Sequence, residues 1–335
     1  MASLANLLIP FGGSSGSRRS CWSSSTVMLS RTDVVGLGLN AMDYIAVVPR
    51  FPRPGGKTDI THLSLEPGGQ VATALTVCAR MGLAARYLGS VGSDPLGQLQ
   101  IKSLEREGID VSPVRVVPDA ASQMAVILIE EGVGERTIIW HRDERLTCPP
   151  EAVTPEVVAS GRILHLDGRD SAAALRAARL ARTLGVPVVI DIDRVYNDDT
   201  ERLLATVDYL IAAEEFGATF TGRDNPTEAA TALAARFPQA TTGITLGARG
   251  VVFVLDGRPE RFPAFEVEVR DTTGAGDVFH GAFIVGLLRG WDIRRTIRFA
   301  QATAALKCRR LGARTGIPTA AEVETFLETA RQYVG

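Results

Sequence analysis

Nothing in this 335-residue chain has the spacing of a metal centre or a disulfide framework. Its four cysteines (Cys21, Cys78, Cys148, Cys308) and four histidines (His62, His141, His165, His280) lie scattered. Thiols so dispersed read as small buried residues in a reducing compartment, and no structural metal site is expected. A dominant charge is missing too. Lys and Arg number 36 against 38 Asp and Glu, for a net charge of −2, and no dense basic stripe could neutralise a run of phosphates. Nucleic acid and membrane surfaces are therefore not expected partners. The longest apolar runs, such as 124–129, are strand length and far short of a bilayer span, so the expectation is a soluble, cytoplasmic protein. No Gly-x-x-x-x-Gly-Lys-Ser/Thr is present. Nor does a Gly-x-Gly-x-x-Gly follow the first strand-like run with an acid about twenty residues on, so P-loop and dinucleotide-binding folds are not expected.

Residues 1–30 contain no Asp or Glu and are rich in Ser and Arg. Such a segment cannot bury enough apolar surface to order itself, and it is expected to be a disordered extension. It reads either as a transit-peptide-like leader or as an over-extended gene start with Met28 the first residue. The remainder, 31–335, reads as one domain. Short apolar runs at 33–40, 114–117, 125–129, 163–166, 186–190, 209–211, 244–245 and 251–255 have buried-strand character. Alanine-rich helical stretches at 171–184, 227–237 and 294–308 fall between or after them. Alternation of this kind predicts an α/β fold with a mostly parallel central sheet between helical layers, and ligands beyond the carboxyl ends of its strands. Two β-rich insertions, about 44–65 and 122–140, interrupt the alternation. They are expected to pair into a small β-sheet lid that closes over the site and excludes water.

The most informative run is Asp271, Thr272, Thr273, Gly274, Ala275, Gly276, Asp277, which leads without a break into an apolar helical stretch. The small residues 274–276 can turn their backbone N–H groups toward an anion at a helix N-terminus. Asp277, one residue beyond, is placed to serve a hydroxyl aligned with a phosphoryl group held there. A second glycine cluster, Gly68 and Gly69, precedes another helical stretch. A third segment, 89–97, carries Gly89, Gly92, Asp94 and Gly97.

Together with Thr245, Gly247 and Gly250, these segments resemble the signature regions of the ribokinase/PfkB family of carbohydrate kinases, from about residue 33 to 330. The resemblance implies a ribokinase-like three-layer αβα sandwich with a small β-sheet lid, and ATP-dependent phosphorylation of a sugar hydroxyl. It implies Asp277 as catalytic base, with Gly274, Ala275 and Gly276 as its anion hole. Asp43 would grip sugar hydroxyls, and Gly68 and Gly69 would let the sugar approach the backbone. Thr73 stands close to where the family often has an Asn contact, while Thr245 and Gly247 would lie along the nucleotide. Asp271 and Thr273 would offer carbonyl oxygens to a monovalent cation, K+. The family's Asn-x-x-Glu motif, which helps place Mg2+, is replaced by Ala212, Ala213, Glu214, Glu215, so either glutamate could serve the metal or be a plain first-turn helix acid.

Arg142, Arg169 and Arg194 each follow a strand-like run, where a guanidinium could bind a carboxylate, sulfonate or phosphate. Each also has an acid within two residues and could be locally paired instead. The stretches 297–308 and 312–318 are most similar to ketose-directed members, ketohexokinase and sulfofructose kinase. The expected acceptor is a ketose or an acidic sugar derivative with a primary hydroxyl. Alternatives are a nucleoside or ribose kinase of the same family, or a non-catalytic sugar or nucleotide sensor on the same fold. A homodimer through the lid is expected because exposed β-edges seek partners.

Overall fold

The computed structural model describes residues 31–132 and 136–330; the expected N-terminal extension and the tip of the second insertion lie outside the described residues. In chain order the strands are β1 (Val34–Leu37), β2 (Ala41–Val48), β3 (His62–Gly68), β4 (Ala85–Leu88), β5 (Ser90–Gly92), β6 (Arg115–Val117) and β7 (Met124–Glu130). They continue with β8 (Arg136–His141), β9 (Ile163–Leu166), β10 (Val188–Ile192), β11 (Tyr209–Ala213), β12 (Thr241–Thr245), β13 (Val251–Leu255) and β14 (Arg258–Phe262). Eight of them form the main sheet in the order β14-β13-β12-β11-β10-β9-β1-β4. From β12 to β4 every pairing is parallel; β13 pairs antiparallel with both β12 and β14, so it alone runs against the others.

Period-two alternation assigns the strand side chains to two cores. Val35, Leu37, Leu164, Leu166, Val188 and Ile190 pack on one face; Val34, Ile163, Val189 and Ile211 pack on the other. A sheet covered on both faces has no polar side, which is why its strands read as continuous apolar runs rather than as alternation. The helices Ser171–Leu184, Pro226–Arg236 and Ile293–Lys307 match the alanine-rich stretches closely. The starts of the last two are fixed locally. Asn225 accepts from the Thr227 and Glu228 N–H groups ahead of a first-turn proline, and Asp292 accepts from the Arg295 N–H.

The two insertions form a separate sheet in the order β3-β2-β7-β8, and β5 and β6 pair by themselves, so the run at 114–117 belongs to neither large sheet. Residues opposite each other in a ladder share a face. The register therefore puts Asp43, Ala125 and Trp140 on one face of the small sheet, with Ile45, Ile127 and Ile138. The other face carries Tyr44, Leu65, Val126 and Ile139. The first face overhangs the carboxyl ends of the main strands. The second is open and apolar, with Leu63 and Ile139 each 61% exposed.

Candidate active site

A cleft of about 1090 Å³ lies between the carboxyl edge of the main sheet and the first face of the small sheet, large enough for a small polar molecule and a nucleotide together. At its floor Gly274, with φ of 75°, is the N-cap of the helix Ala275–Leu288. A Cβ at Gly274 would also meet Ala313 Cβ at 2.7 Å, so glycine is required there by both conformation and space. Gly276 differs. Nothing lies within 4 Å of where its Cβ would stand, so the helix N-terminus opens directly onto the cleft. An anion placed there meets free N–H groups and the positive end of the helix dipole.

Asp277 follows in the first turn and lines the same cleft. Burial, reinforced by the Asp191 carboxylate, pushes its pKa up to about 7. Asp191 is itself buried and is pushed up to about 8, with Asp193 the second cause. His280, one helical turn beyond Gly276, has Nδ1 2.8 Å from the Gly276 carbonyl and 3.4 Å from Asp191. Its Nε2 lies 3.3 Å from the Ile211 carbonyl, so the ring stands between the cradle and β11 and, when neutral, donates to only one of the two carbonyls. Desolvation lowers its pKa, favouring neutral imidazole. The cleft thus combines an anion seat with a carboxylate whose pKa is tuned toward neutrality, the combination a proton-accepting group in phosphoryl transfer calls for.

Asp43 faces the cleft from β2, 5% exposed, and burial raises its pKa to about 7 against the opposing pull of Arg314. Gly69 lines the cleft, but Gly68 does not. The reason for glycine differs from the expected one. A Cβ at Gly68 would stand 1.9 Å from Asp43 Oδ2, and one at Gly69 would meet Asn40 Cα at 2.6 Å. Both glycines therefore admit the 40–43 segment, and only Gly69 is also open to a ligand. Thr73 lies behind this wall, fully buried, and its hydroxyl accepts from Arg314 Nε at 3.4 Å. Arg314 also donates to Asn40 Oδ1 at 2.9 Å and to the Gly68 carbonyl. Thr73 is thus a support of the site and not a contact with its contents.

The three arginines separate. Arg142 is paired at 2.9 Å with Asp170, both side chains buried, and donates to the Leu146 carbonyl, so it is structural and outside the cleft. Arg194 lines the cleft but pairs with Asp193 at 3.3 Å. Arg169 lines it with no acid partner among the described residues, its guanidinium 5.2 Å from the Trp140 ring and 5.5 Å from the Tyr196 ring.

At the other end, Thr245 and Gly247 line the cleft as expected, alongside Ala248, Arg249 and Val251. Glu214 and Glu215 form the first turn of the helix Glu214–Thr221 and do not line it. Glu214 is tied to Arg249, and Glu215 is exposed. Neither is a preformed magnesium ligand, and no group of three or more His, Cys, Asp or Glu side chains among the described residues could hold a metal. Asp191 and Asp193 are carboxylates that do face the cleft. That suits Mg2+, which arrives on nucleotide phosphates and needs only one or two carboxylates nearby.

The expected K+ site does not fit the residues present. The carbonyl of Asp271 accepts a hydrogen bond from Lys307 Nζ at 2.9 Å, and both residues are fully buried. The Asp271 carboxylate is also taken, by the Thr273 N–H at 2.7 Å and the Gly312 N–H at 2.8 Å. Sequence reasoning also missed Arg136 of β8, which lines the cleft and donates to the Thr272 hydroxyl from across it. His280, Asp191, Arg314 and Lys307 were missed as well. Only Asp191 carried a signal, as an acid at the end of a buried strand.

A mostly parallel sheet with an anion-binding helix N-terminus and an adjacent acid at its carboxyl edge defines a phosphoryl-transfer enzyme of the ribokinase-like fold. Residues 31–320 match the pfkB family carbohydrate kinase domain, and the chain belongs to that family. It is 30% identical over 312 residues to a ribokinase of Haemophilus influenzae, covering 90% of this chain and all of that one. It is 31% identical over 280 residues to a fructokinase of Klebsiella pneumoniae, covering 75% of this chain and 89% of that one. Among solved structures it matches Arabidopsis thaliana ribokinase complexed with ribose and ATP, with TM-score 0.73 and 24% identity, covering 89% of this chain and 99% of the other. The protein is an ATP-dependent kinase that phosphorylates an alcohol group.

Proposed function

We propose that the acceptor is a ketose or an acidic sugar derivative, phosphorylated at a primary hydroxyl, with its anionic or keto end received by Arg169. The observation that carries this reading is the Arg169 guanidinium, without an acid partner among the described residues and held between Trp140 and Tyr196 on the cleft wall. Arginine stacked between rings keeps its N–H edge free for a planar or tetrahedral anion. Asp43 accepts from neighbouring sugar hydroxyls. The acceptor oxygen attacks the γ-phosphorus, its proton passes to Asp277, and the bond to the ADP oxygen breaks. The amides around residues 274–277 hold the charge of the transferring group. Bound Mg2+ supplies neutralisation of the phosphates.

A ribose acceptor is the second reading, supported by the ribokinase relative. Steady-state kcat/KM across fructose, a keto-deoxy sugar acid, a sulfonated ketose, ribose and adenosine separates the two. Sites built to pair buried polar groups discriminate strongly, so one class should stand clear of the others. Preference for ribose or adenosine over every ketose and sugar acid would overturn the acceptor reading and leave the kinase assignment intact.

We also infer that the small sheet is a mobile lid and that its outer face joins two copies. Tyr44, Leu63, Leu65 and Ile139 give that face a contiguous apolar surface of the kind that marks an interface.

A further inference from the structure

Lys307 is the last residue of the helix Ile293–Lys307, and its side chain is completely buried. A lysine at a helix carboxyl end ordinarily turns its ammonium to that helix's own carbonyls or to water. This one leaves its helix. It donates at 2.9 Å to the carbonyl of Asp271, 36 residues earlier in the chain, and lies 3.9 Å from the same residue's Oδ2. Burying an ammonium is strongly unfavourable unless it is well matched. Burial pulls the pKa of Lys307 down, and the Asp271 carboxylate opposes that fall.

The surroundings explain what the charge does. The Arg270 and Asp271 N–H groups both donate to the Cys308 carbonyl, at 2.8 and 3.1 Å, so the segment leading into the cradle is stitched to the helix end that carries Lys307. The Asp271 carboxylate accepts from Thr273 on the cradle side and from Gly312 on the other. Gly274, three residues past Asp271, packs against Ala313, next to Gly312. One buried cation therefore holds the loop that precedes the anion seat and the loop that backs it. A bound monovalent ion would do the same by gathering carbonyl oxygens, but Lys307 already takes that of Asp271, one of the two carbonyls the family resemblance assigns to that ion.

We propose that the Lys307 ammonium is a resident cation that fixes residues 271–274 in their anion-binding shape, so that this kinase needs no exchangeable K+. Lys307 is a positioning residue, acting through Asp271 and the cradle backbone without touching nucleotide. The proposal rests on the kinase assignment but on no particular acceptor.

The test compares full-length protein in buffers whose only monovalent cation is K+, Na+ or tetramethylammonium. Thermal melting and binding of a non-hydrolysable ATP analogue are the readouts, both independent of which sugar is the substrate. For the wild type, Tm rises no more in K+ than in Na+, and the analogue's Kd changes by less than about twofold among the three buffers. In tetramethylammonium, Lys307→Met weakens analogue binding by about tenfold or more, roughly 1.4 kcal/mol or above. K+ or ammonium partly restores that binding, because a small cation can then enter beside the Asp271 carbonyl. Lys307→Met retains much of the side-chain volume; should it fail to fold, the wild-type comparison still decides. A wild-type protein whose analogue binding collapses without K+ would overturn the proposal. So would Lys307→Met binding the analogue as tightly as wild type in tetramethylammonium.

Discussion

Replacing Gly276 with alanine should separate stability from catalysis in opposite directions. Gly276 is the second residue of the helix Ala275–Leu288, and its φ is not positive. A Cβ there meets no protein atom within 4 Å. Glycine inside a helix costs roughly 0.5–1 kcal/mol relative to alanine, so Gly276→Ala should be neutral or stabilising. In a domain of this size that is a Tm rise of about 1–3 °C. The added methyl, however, stands in the mouth of the anion seat. Displacing a phosphoryl group by about 1 Å costs on the order of a hundredfold in rate, so kcat/KM for ATP should fall at least that far. Gly274→Ala is the contrasting control. Its φ of 75° and the 2.7 Å approach to Ala313 predict loss of both stability and activity. Differential scanning fluorimetry and a coupled ADP assay read the two effects. Gly276→Ala turning over ATP within about threefold of wild type would show that the phosphoryl group does not sit at this helix end.

Arg169→Gln should raise KM for an anionic acceptor by about tenfold or more while changing a neutral ketose far less, and equal losses for both would remove its role as the anion receiver. With Asp277 pushed up to about 7 and required as the carboxylate, kcat/KM should rise with pH through that region and flatten above it; a flat profile from pH 5 to 8 would contradict the raised value. Asp191, raised from 3.8 to about 8, stabilises the fold as a neutral acid below its ordinary pKa, and that contribution is lost as pH rises toward 8. The Tm of Asp191→Asn relative to wild type should therefore climb from pH 4 to 8, and a difference independent of pH would refute the burial argument. Ile139→Glu on the open face of the small sheet, where the native residue is 61% exposed, should shift a dimer to monomer in light scattering; an unchanged mass would place any interface elsewhere.

The parts of the site that the sequence made legible are those whose partners are near in the chain. Gly274, Gly276 and Asp277 make a seat and a base within one helical turn, so their spacing alone carries the geometry. Six of the eight main-sheet strands were legible because burial on both faces leaves uninterrupted apolar runs, whereas β4, interrupted by Arg86, and the polar edge strand β14 were not. Arg142, Arg169 and Arg194 look alike in sequence, each beside an acid. Only the fold distinguishes them: Asp170 pairs with Arg142, whereas Asp167 accepts from the backbone N–H of Arg169 and leaves that guanidinium free. The purpose of Gly68 was equally hidden, because it depends on the register that sets β3 against Asp43. Lys307 reads as an ordinary last-turn lysine until Asp271, a distant residue, is found at its tip.

The account rests most heavily on Asp277 as the proton acceptor beside an anion seat, and Asp277→Asn tests that most directly. Asparagine keeps the size and polarity of the side chain but cannot take the proton. On the best acceptor of the wild type, kcat should fall by about a thousandfold, within the usual range for losing a general base, while calorimetric affinities for ATP and sugar stay within about threefold. Turnover by Asp277→Asn close to that of wild type would contradict the account.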